Sequence, residues 1–436
     1  MIDWKKLNQL CIKITDGSHF SPVGVESGYP MLSVKDMKEN GFDYSNCKFI
    51  NEDDYKSLLR NDCKPLKNDV LIAKDGSYLK HVFVIENERD EAILSSIGIL
   101  RPNLELIDPY YIKYYLDSDF VKREVAKKYV SGSALPRIIL KNFGEILVPY
   151  IEKTKQTSIV NVLKSIDSKI ALNNRINAEL EAMAKTVYDY WFVQFDFPNA
   201  EGKPYKSSGG KMVWCEDLKR EVPEGWEGGE LKDIANITMG QSPAGESYNE
   251  DGNGKVFYQG CTDFGTRFPS IRKYTTEPTR FARQGDILLS VRAPVGTLNI
   301  AKEDCCIGRG LAALNSKDNC IAYLFGVMVN LKQIFDRRNT DGTTFGSITK
   351  DDLFTLKVIK PSNEVLEMYH KLINPCFEKQ NLIAEENQQL SSLRDWLLPM
   401  LMNGQVVSTR LNNREQEMEV ERLMAAEPRV EYGISK

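Results

Sequence analysis

Few of the residue arrangements that carry catalysis occur in this 436-residue sequence. A phosphate-cradling loop needs Gly-x-x-x-x-Gly-Lys-Ser/Thr, so that backbone N–H groups and a lysine converge on one anion. Asp251-Gly252-Asn253-Gly254-Lys255 has the residue types without the spacing. Gly240-Gln241-Ser242-Pro243 lacks the Gly-x-Ser-x-Gly elbow that would expose a nucleophilic serine, and reads as a turn. Two strings approach the Asn/Asp-Pro-Pro-Tyr/Phe motif of amino-methyltransferases: Asp108-Pro109-Tyr110-Tyr111 and Asn374-Pro375-Cys376-Phe377. Both lack the second proline, and neither follows a glycine-rich cofactor loop at a suitable distance. The first reads as a helix start, with Asp108 as cap and Pro109 in the first turn. Nine cysteines are scattered without a Cys-x-x-Cys pair, and three histidines (His19, His81, His370) cannot complete a zinc site. These features predict a non-catalytic binder with no metal site and no cofactor of its own.

Basic residues are better organised. Lys122, Arg123, Lys127, Lys128, Arg137 and Lys141 stand against Glu124 alone between Phe120 and Lys141, a local charge of +5. Arg267, Arg272, Lys273, Arg280, Arg283 and Arg292 stand against Glu277 and Asp286, a local +4. Ser131, Ser133, Tyr129, Phe268, Ser270 and Tyr274 interleave with them, which suits phosphate contacts beside base-edge contacts. The alternative for each stretch is a solvated helix or turn face. Net charge is −4, which excludes a histone-like protein that binds nucleic acid by bulk charge but permits a local basic face.

The elements that would position these residues occur twice. Leu7 and Leu10 match Leu231 and Ile234 at an offset of 224. Asp69-Val70-Leu71-Ile72 matches Asp286-Ile287-Leu288-Leu289 at 217. Gly132-Ser133-Ala134 with Ile138 matches Gly342-Thr343-Thr344 with Ile348 at 210, and that offset persists through Phe143/Leu353, Val148/Val358 and Leu180/Leu390. An ordered series of this kind predicts a tandem duplication of a unit about 210 residues long. Within each unit a turn-rich, strand-like stretch precedes a long apolar seam. Val70–Ala73 and Val82–Ile85 read as strands and Pro109–Tyr115 as a short helix.

Ile159, Leu163, Ile166, Ile170, Leu180, Ala184, Val187 and Trp191 recur at helical spacing. Leu366, Ile373, Cys376, Ile383, Leu390, Leu393 and Leu397 form a second such seam, with Pro375 predicted to kink or break it. A helix of about 40 residues is roughly 60 Å long, and two such seams are expected to pair antiparallel. Asn173, Asn177 and Asn387 fall at seam positions, where they either fix register or face solvent.

The chain is thus expected to be α+β: two β-rich domains alternating with two long helices that pair as an antiparallel coiled coil, an internal pseudo-two-fold repeat. The expected boundaries are 1–150 and 201–360 for the β-rich domains, 151–200 and 361–410 for the helices, and 411–436 for a charged, disordered tail. This order resembles the specificity subunit of type I restriction-modification systems over roughly residues 1–405. Besides the paired Asp-Val/Ile-Leu strings and the Gly-Ser/Thr strings, Tyr190-Trp191-Phe192-Val193-Gln194-Phe195-Asp196-Phe197 and Leu393-Arg394-Asp395-Trp396-Leu397-Leu398-Pro399 with Asn403-Gly404-Gln405-Val406 agree with that family.

The resemblance implies two target recognition domains reading the halves of a bipartite, asymmetric DNA site. It also implies a helix pair that spaces them and scaffolds partner subunits. Those partners would be two modification (methyltransferase) subunits that bind S-adenosylmethionine and restriction subunits that use ATP and magnesium. Polar residues in or beside turns supply the candidate DNA contacts: His19, Lys35, Lys74, Lys80, Ser133 and Arg137 in the first module, and Gln259, Arg267, Arg292, Arg309, Thr343 and Thr344 in the second. Trp191, Phe192 and Trp396 are the candidate partner-interface residues. Competing readings are a stand-alone sequence-specific DNA-binding regulator, a methyltransferase or nuclease in its own right, and a diverged protein-binding scaffold. With no signal-like or membrane-spanning apolar run, the expected location is the cytoplasm.

Overall fold

The computed structural model describes residues 3–74, 79–131, 137–332, 335 and 347–402. The chain divides into two compact units, Met1–Lys169 with Leu390–Lys436, and Ile170–Gln389. Each holds one β-rich module and segments of both long helices, the first helix running from Lys153 to Tyr188 and the second from Asn363 to Met402. Among the described residues no helix is long and apolar enough to cross a membrane.

The two modules are built alike. In the first, strand Asp3–Lys6 lies antiparallel to Leu147–Tyr150, and a one-turn helix, Leu7–Leu10, drives both leucines into the core. In the second, Glu227–Glu230 lies antiparallel to Lys357–Lys360, and Leu231–Ile234 makes the same turn. A four-stranded antiparallel sheet follows in each, with spatial order 11–16, 97–102, 70–73, 82–84 in the first and 235–239, 311–316, 287–290, 298–300 in the second. Register is preserved: Ile99 faces Leu71 and Thr15, as Ala313 faces Leu288 and Thr238. The offset therefore steps from 223 through 217 to 214 within the sheet.

The apolar strings are continuous because both faces of each sheet are covered. Successive side chains on a strand point to opposite faces. Val70 and Ile72 accordingly enter one core and Leu71 and Ala73 another. Ile287 and Leu289 divide from Leu288 in the same way. The repeated aspartate fixes the turn that feeds this strand. Asp69 accepts the Leu66 N–H at 2.8 Å, and Asp286 accepts the Arg283 N–H at 2.8 Å. Asn68 and Gly285 precede them with positive φ, where asparagine and glycine are the favoured residues.

The second partners of these carboxylates differ. Arg101 grips Asp69 through two bonds of 2.9 Å, whereas Asp286 has the Asn315 amide at 2.7 Å. Burial holds the Asp286 carboxyl above the ordinary carboxylate range, against the Arg283 N–H and the Asn315 amide, which favour its ionised form. A folded value above the unfolded ~3.9 means that the native state holds the proton more tightly, so stability falls as pH rises through that window. Asp286→Asn is expected to remove this fall in the second unit, read as urea midpoints between about pH 4 and about pH 7. An unchanged slope would contradict it.

The first long helix ends in a π-helical turn, Asp189–Val193. The second runs through Pro375 without the break that the proline allowed for. An interior proline costs about 3 kcal/mol, but the flanking Ile373 and Phe377 are buried in the second unit's core and hold the helix on either side. Within that unit Asn173 donates to Glu386 Oε2 at 2.7 Å and Asn387 Oδ1 at 2.9 Å, and Asn387 donates to Asn174 at 2.8 Å. Asn173 and Asn387 thus bond across the helix seam. Asn177 offers only its backbone carbonyl, to Gln380 at 3.3 Å. Within the first unit Arg394 meets Asp167 at 3.0 Å, and Leu398, Leu401 and Met402 join Ile159, Val160 and Leu163 in one core.

Candidate nucleic-acid interface

In the second module four loops converge beyond one end of the central sheet. Gly240 leaves strand Ala235–Met239 in close contact with the chain at Gly308, where a Cβ would lie 2.2 Å from the Gly308 oxygen. Gln241 then donates its N–H to Ile307 O at 3.0 Å, Gly308 donates to Tyr258 O at 2.8 Å, and Val291 donates to Gly310 O at 2.9 Å. These bonds bring Gln241, Ser242, Gln259, Arg292 and Arg309 onto one loop cluster. The Gln259 carboxamide donates to Ser242 Oγ at 2.9 Å, and the Arg309 N–H reaches the same hydroxyl at 3.3 Å. Arg292 and Arg309 are exposed, and neither guanidinium has a carboxylate partner among the described residues.

The first module repeats the main backbone bonds of this frame. Ser18 donates to Ile93 O at 2.8 Å, Leu94 to Leu32 O at 2.8 Å, and Lys74 to Ser96 O at 2.9 Å. Gly17 stands where Gly240 does, and a Cβ there would lie 2.1 Å from the Ile93 oxygen. The side chains carried by the frame are different. Ser18, His19, Ser33, Ser95 and Ser96 occupy the positions of Gln241, Ser242, Gln259, Arg309 and Gly310. A fixed backbone with exchanged polar side chains can present two different hydrogen-bond patterns to base edges.

Of the sequence candidates, Gln259, Arg292 and Arg309 come together here, while His19 and Lys35 sit on the corresponding loops of the first module, both exposed. Lys80 is exposed on a cleft that also holds Glu39, Asp117 and Asp119. Ser133, Thr343, Thr344 and the side chain of Arg137 lie outside the described residues. Sequence reasoning missed Gln241, Ser242, Ser95 and Ser96, along with Ser18, which is buried and bonds the Phe20 backbone rather than facing outward. The signal was there: Gly17 and Gly240 share the 223 offset of their strands.

Two candidates need correction. Lys74 is only 3% exposed, and its ammonium is ion-paired with Asp16. It closes the end of the sheet, and its charge is unavailable to a phosphate. Arg267 packs its side chain against the second long helix, its guanidinium 4.1 Å from the Phe377 ring centroid and its Nε donating to Asn381 at 2.7 Å. Burial pushes its pKa down to about 10. A desolvated cation–π contact plus a charged hydrogen bond make Arg267→Ala cost the second unit about 2–4 kcal/mol. Arg267→Lys, which loses the planar fork, should recover only part of it. Equal midpoints for all three proteins in urea unfolding would contradict this role.

Among the described residues neither linear basic stretch forms one patch. Arg272 is ion-paired with Asp263, and Arg283 precedes the strand that Arg292 follows. Lys122 bonds Asp117 at 2.7 Å and Lys128 meets Glu124 at 2.9 Å, so part of that helix's charge is compensated locally.

The partner-interface candidates also divide. Trp191 and Phe192 are 6% and 1% exposed, core residues of the second unit rather than surface ones. The π-helical turn carries both rings inward, where Phe192 lies 4.9 Å from Tyr369 and 4.8 Å from Tyr323 between ring centroids. Trp396 is 57% exposed.

Comparison with known proteins bears on what this architecture is. Residues 4–182 and 223–390 match the family model of the type I restriction modification DNA specificity domain. A Methanocaldococcus jannaschii protein assigned as the MjaX type I restriction enzyme specificity subunit is 28% identical over 417 residues, 93% of this chain and 94% of that protein. The HindI type I restriction enzyme specificity subunit of Haemophilus influenzae is 23% identical over 478 residues, 93% of this chain and all of that one. The solved S subunit of a type I restriction-modification system from M. genitalium shares the fold, with a TM-score of 0.53 at 18% identity over 92% of this chain and 96% of that one. With two specificity domains that together span most of its length, the chain belongs to the type I restriction-modification specificity subunit family.

Proposed function

We propose that this chain directs a type I restriction-modification complex to a bipartite, asymmetric DNA sequence, each β-rich module reading one half-site. The observation that carries this reading is the duplicated loop frame with exchanged side chains. One scaffold is used twice, with Ser18, His19 and Ser95 in one copy and Gln241, Ser242 and Arg309 in the other. A duplication kept only for stability would have no need to exchange His19 for Ser242 and Ser95 for Arg309 on a frame whose main backbone bonds are held. Modification and restriction chemistry then lies in partner subunits, two of which bind S-adenosylmethionine and methylate adenine, while others use ATP and magnesium. This chain supplies address and scaffold and is not itself a catalyst.

The two long helices pair antiparallel as a coiled coil with pseudo-two-fold symmetry and set the distance between half-sites. The Asn173–Asn387 and Asp167–Arg394 bonds support that pairing, since each joins a residue of the first helix to one of the second. Buried polar pairs of this kind select one register over alternatives a residue or a turn away. Half-sites one helical turn apart are ~34 Å apart, within reach of helices of this length. Selection of bound duplexes from a random pool by the full chain with its modification subunits tests the reading. Two specified blocks separated by an unspecified gap are expected, and one continuous block, or no enrichment, would overturn it.

A further inference from the structure

We infer that Arg309 is the base-reading residue of the second module and that it reads a guanine, with the Ser242–Gln259 pair holding the surface from which it projects. This rests on the DNA-recognition reading above and goes beyond it by naming one side chain and one base. Three observations carry it. The first is the contrast at one frame position. Arg309 occupies the place of Ser95, and the bonds on either side are the same in both modules: Gly308 to Tyr258 as Leu94 to Leu32, and Leu311 to Gly308 as Ile97 to Leu94. The N–H of the residue itself changes partner, from the Ser18 carbonyl for Ser95 to the Ser242 hydroxyl for Arg309, so the frame places both residues on the same turn while side chain and local anchor differ.

The second is the rigidity of that starting point. A Cβ at Gly308 would lie 3.0 Å from Gln259 Cα, and one at Gly310 would lie 2.7 Å from Gln259 O. The glycines let the Arg309 loop press against the Gln259 strand end, and the Arg309 N–H is bonded to Ser242 Oγ. Such support positions a side chain more accurately than a free loop does.

The third is the state of the guanidinium. Arg267 is held on aromatic rings and Arg272 on Asp263, whereas Arg309 is exposed with no carboxylate partner among the described residues. A free planar fork matches the O6 and N7 acceptors of guanine, the commonest specific major-groove contact. Gln259 is already bonded to Ser242 and serves as support. Arg292 is also exposed and is anchored through its carbonyl, which accepts the Ser290 hydroxyl at 2.7 Å, but it lacks the flanking glycines that press the Arg309 turn against Gln259, and it suits a phosphate.

The test uses duplex selection with the full chain in complex with its modification subunits, comparing wild type, Arg309→Ala and Arg309→Lys, with thermal unfolding of each as a check that the fold is kept. If Arg309 reads guanine, Arg309→Ala relaxes one G·C pair in one half-site by about 10- to 100-fold and leaves the other half-site unchanged. Arg309→Lys keeps the charge but not the fork and recovers only part of that discrimination. If Arg309→Ala instead weakens binding evenly while the selected sequence stays the same, Arg309 is a phosphate contact and the inference fails, though the recognition reading stands. If wild type selects no sequence, that reading fails and takes the inference with it.

Discussion

Lys74→Val is expected to destabilise the first unit by about 3–5 kcal/mol, whereas Asp16→Met and Lys74→Val together should leave it near wild type or slightly more stable. The duplication itself suggests the experiment. Asp16 and Lys74 face each other as a buried ion pair in the first module, and at the same frame positions the second has Met239 and Val291. Evolution has thus tried both solutions on one backbone. Removing the lysine alone leaves a carboxylate that is almost fully enclosed, with the exposed His19 imidazole at 3.5 Å as its one remaining basic neighbour among the described residues. An unpaired buried charge forfeits its hydration without a compensating partner, while an apolar pair of similar size forfeits nothing of the kind. Urea unfolding, with hydrogen exchange on strands 11–16 and 70–73 to isolate the first unit, reads the difference. A double variant as unstable as the single one would show that the module depends on the ion pair itself.

The second large effect separates the two copies of the repeated aspartate. Asp69→Ala should cost the first unit about 3–5 kcal/mol, because it strips a bidentate partner from the largely buried Arg101 guanidinium and orphans the Leu66 N–H. Asp286→Ala should cost the second unit only about 1–3 kcal/mol, since what it leaves unpaired is the neutral Arg283 N–H and the Asn315 amide. Equal losses would mean that the shared turn, rather than the partner of the carboxylate, sets the energy.

Local chemistry was legible in the sequence where it determined structure. Asp108 caps the helix Pro109–Asp117 through the Tyr110 N–H at 2.8 Å, as its position before proline implied. Val70–Ala73 is a strand because four consecutive apolar residues suit a sheet covered on both faces. The duplication was visible because strand and turn residue types repeat in order. What the sequence hid is partnership at a distance. Lys74 and Arg267 carry charge in any reading of composition, yet Asp16 lies 58 residues from the first and Asn381 lies 114 residues from the second. Trp191 and Phe192 read as an interface for a partner, yet both lie on the π-helical turn and are buried against Tyr323 and Tyr369, which are distant in sequence. The loop frame escaped notice because its four loops stand at four different offsets, 223 for Ser18 and Gln241, 226 for Ser33 and Gln259, 217 for Lys74 and Val291, and 214 for Ser95 and Arg309.

The claim that this chain is the address-reading subunit is tested most directly by a modification map. The chain would be co-expressed with modification subunits of its own system in a host lacking adenine methylation, and modified bases read by long-read sequencing. A split motif with one methylated adenine in each half is the predicted result. A soluble, co-purifying complex that methylates no sequence, or one that methylates a continuous motif, would contradict the account.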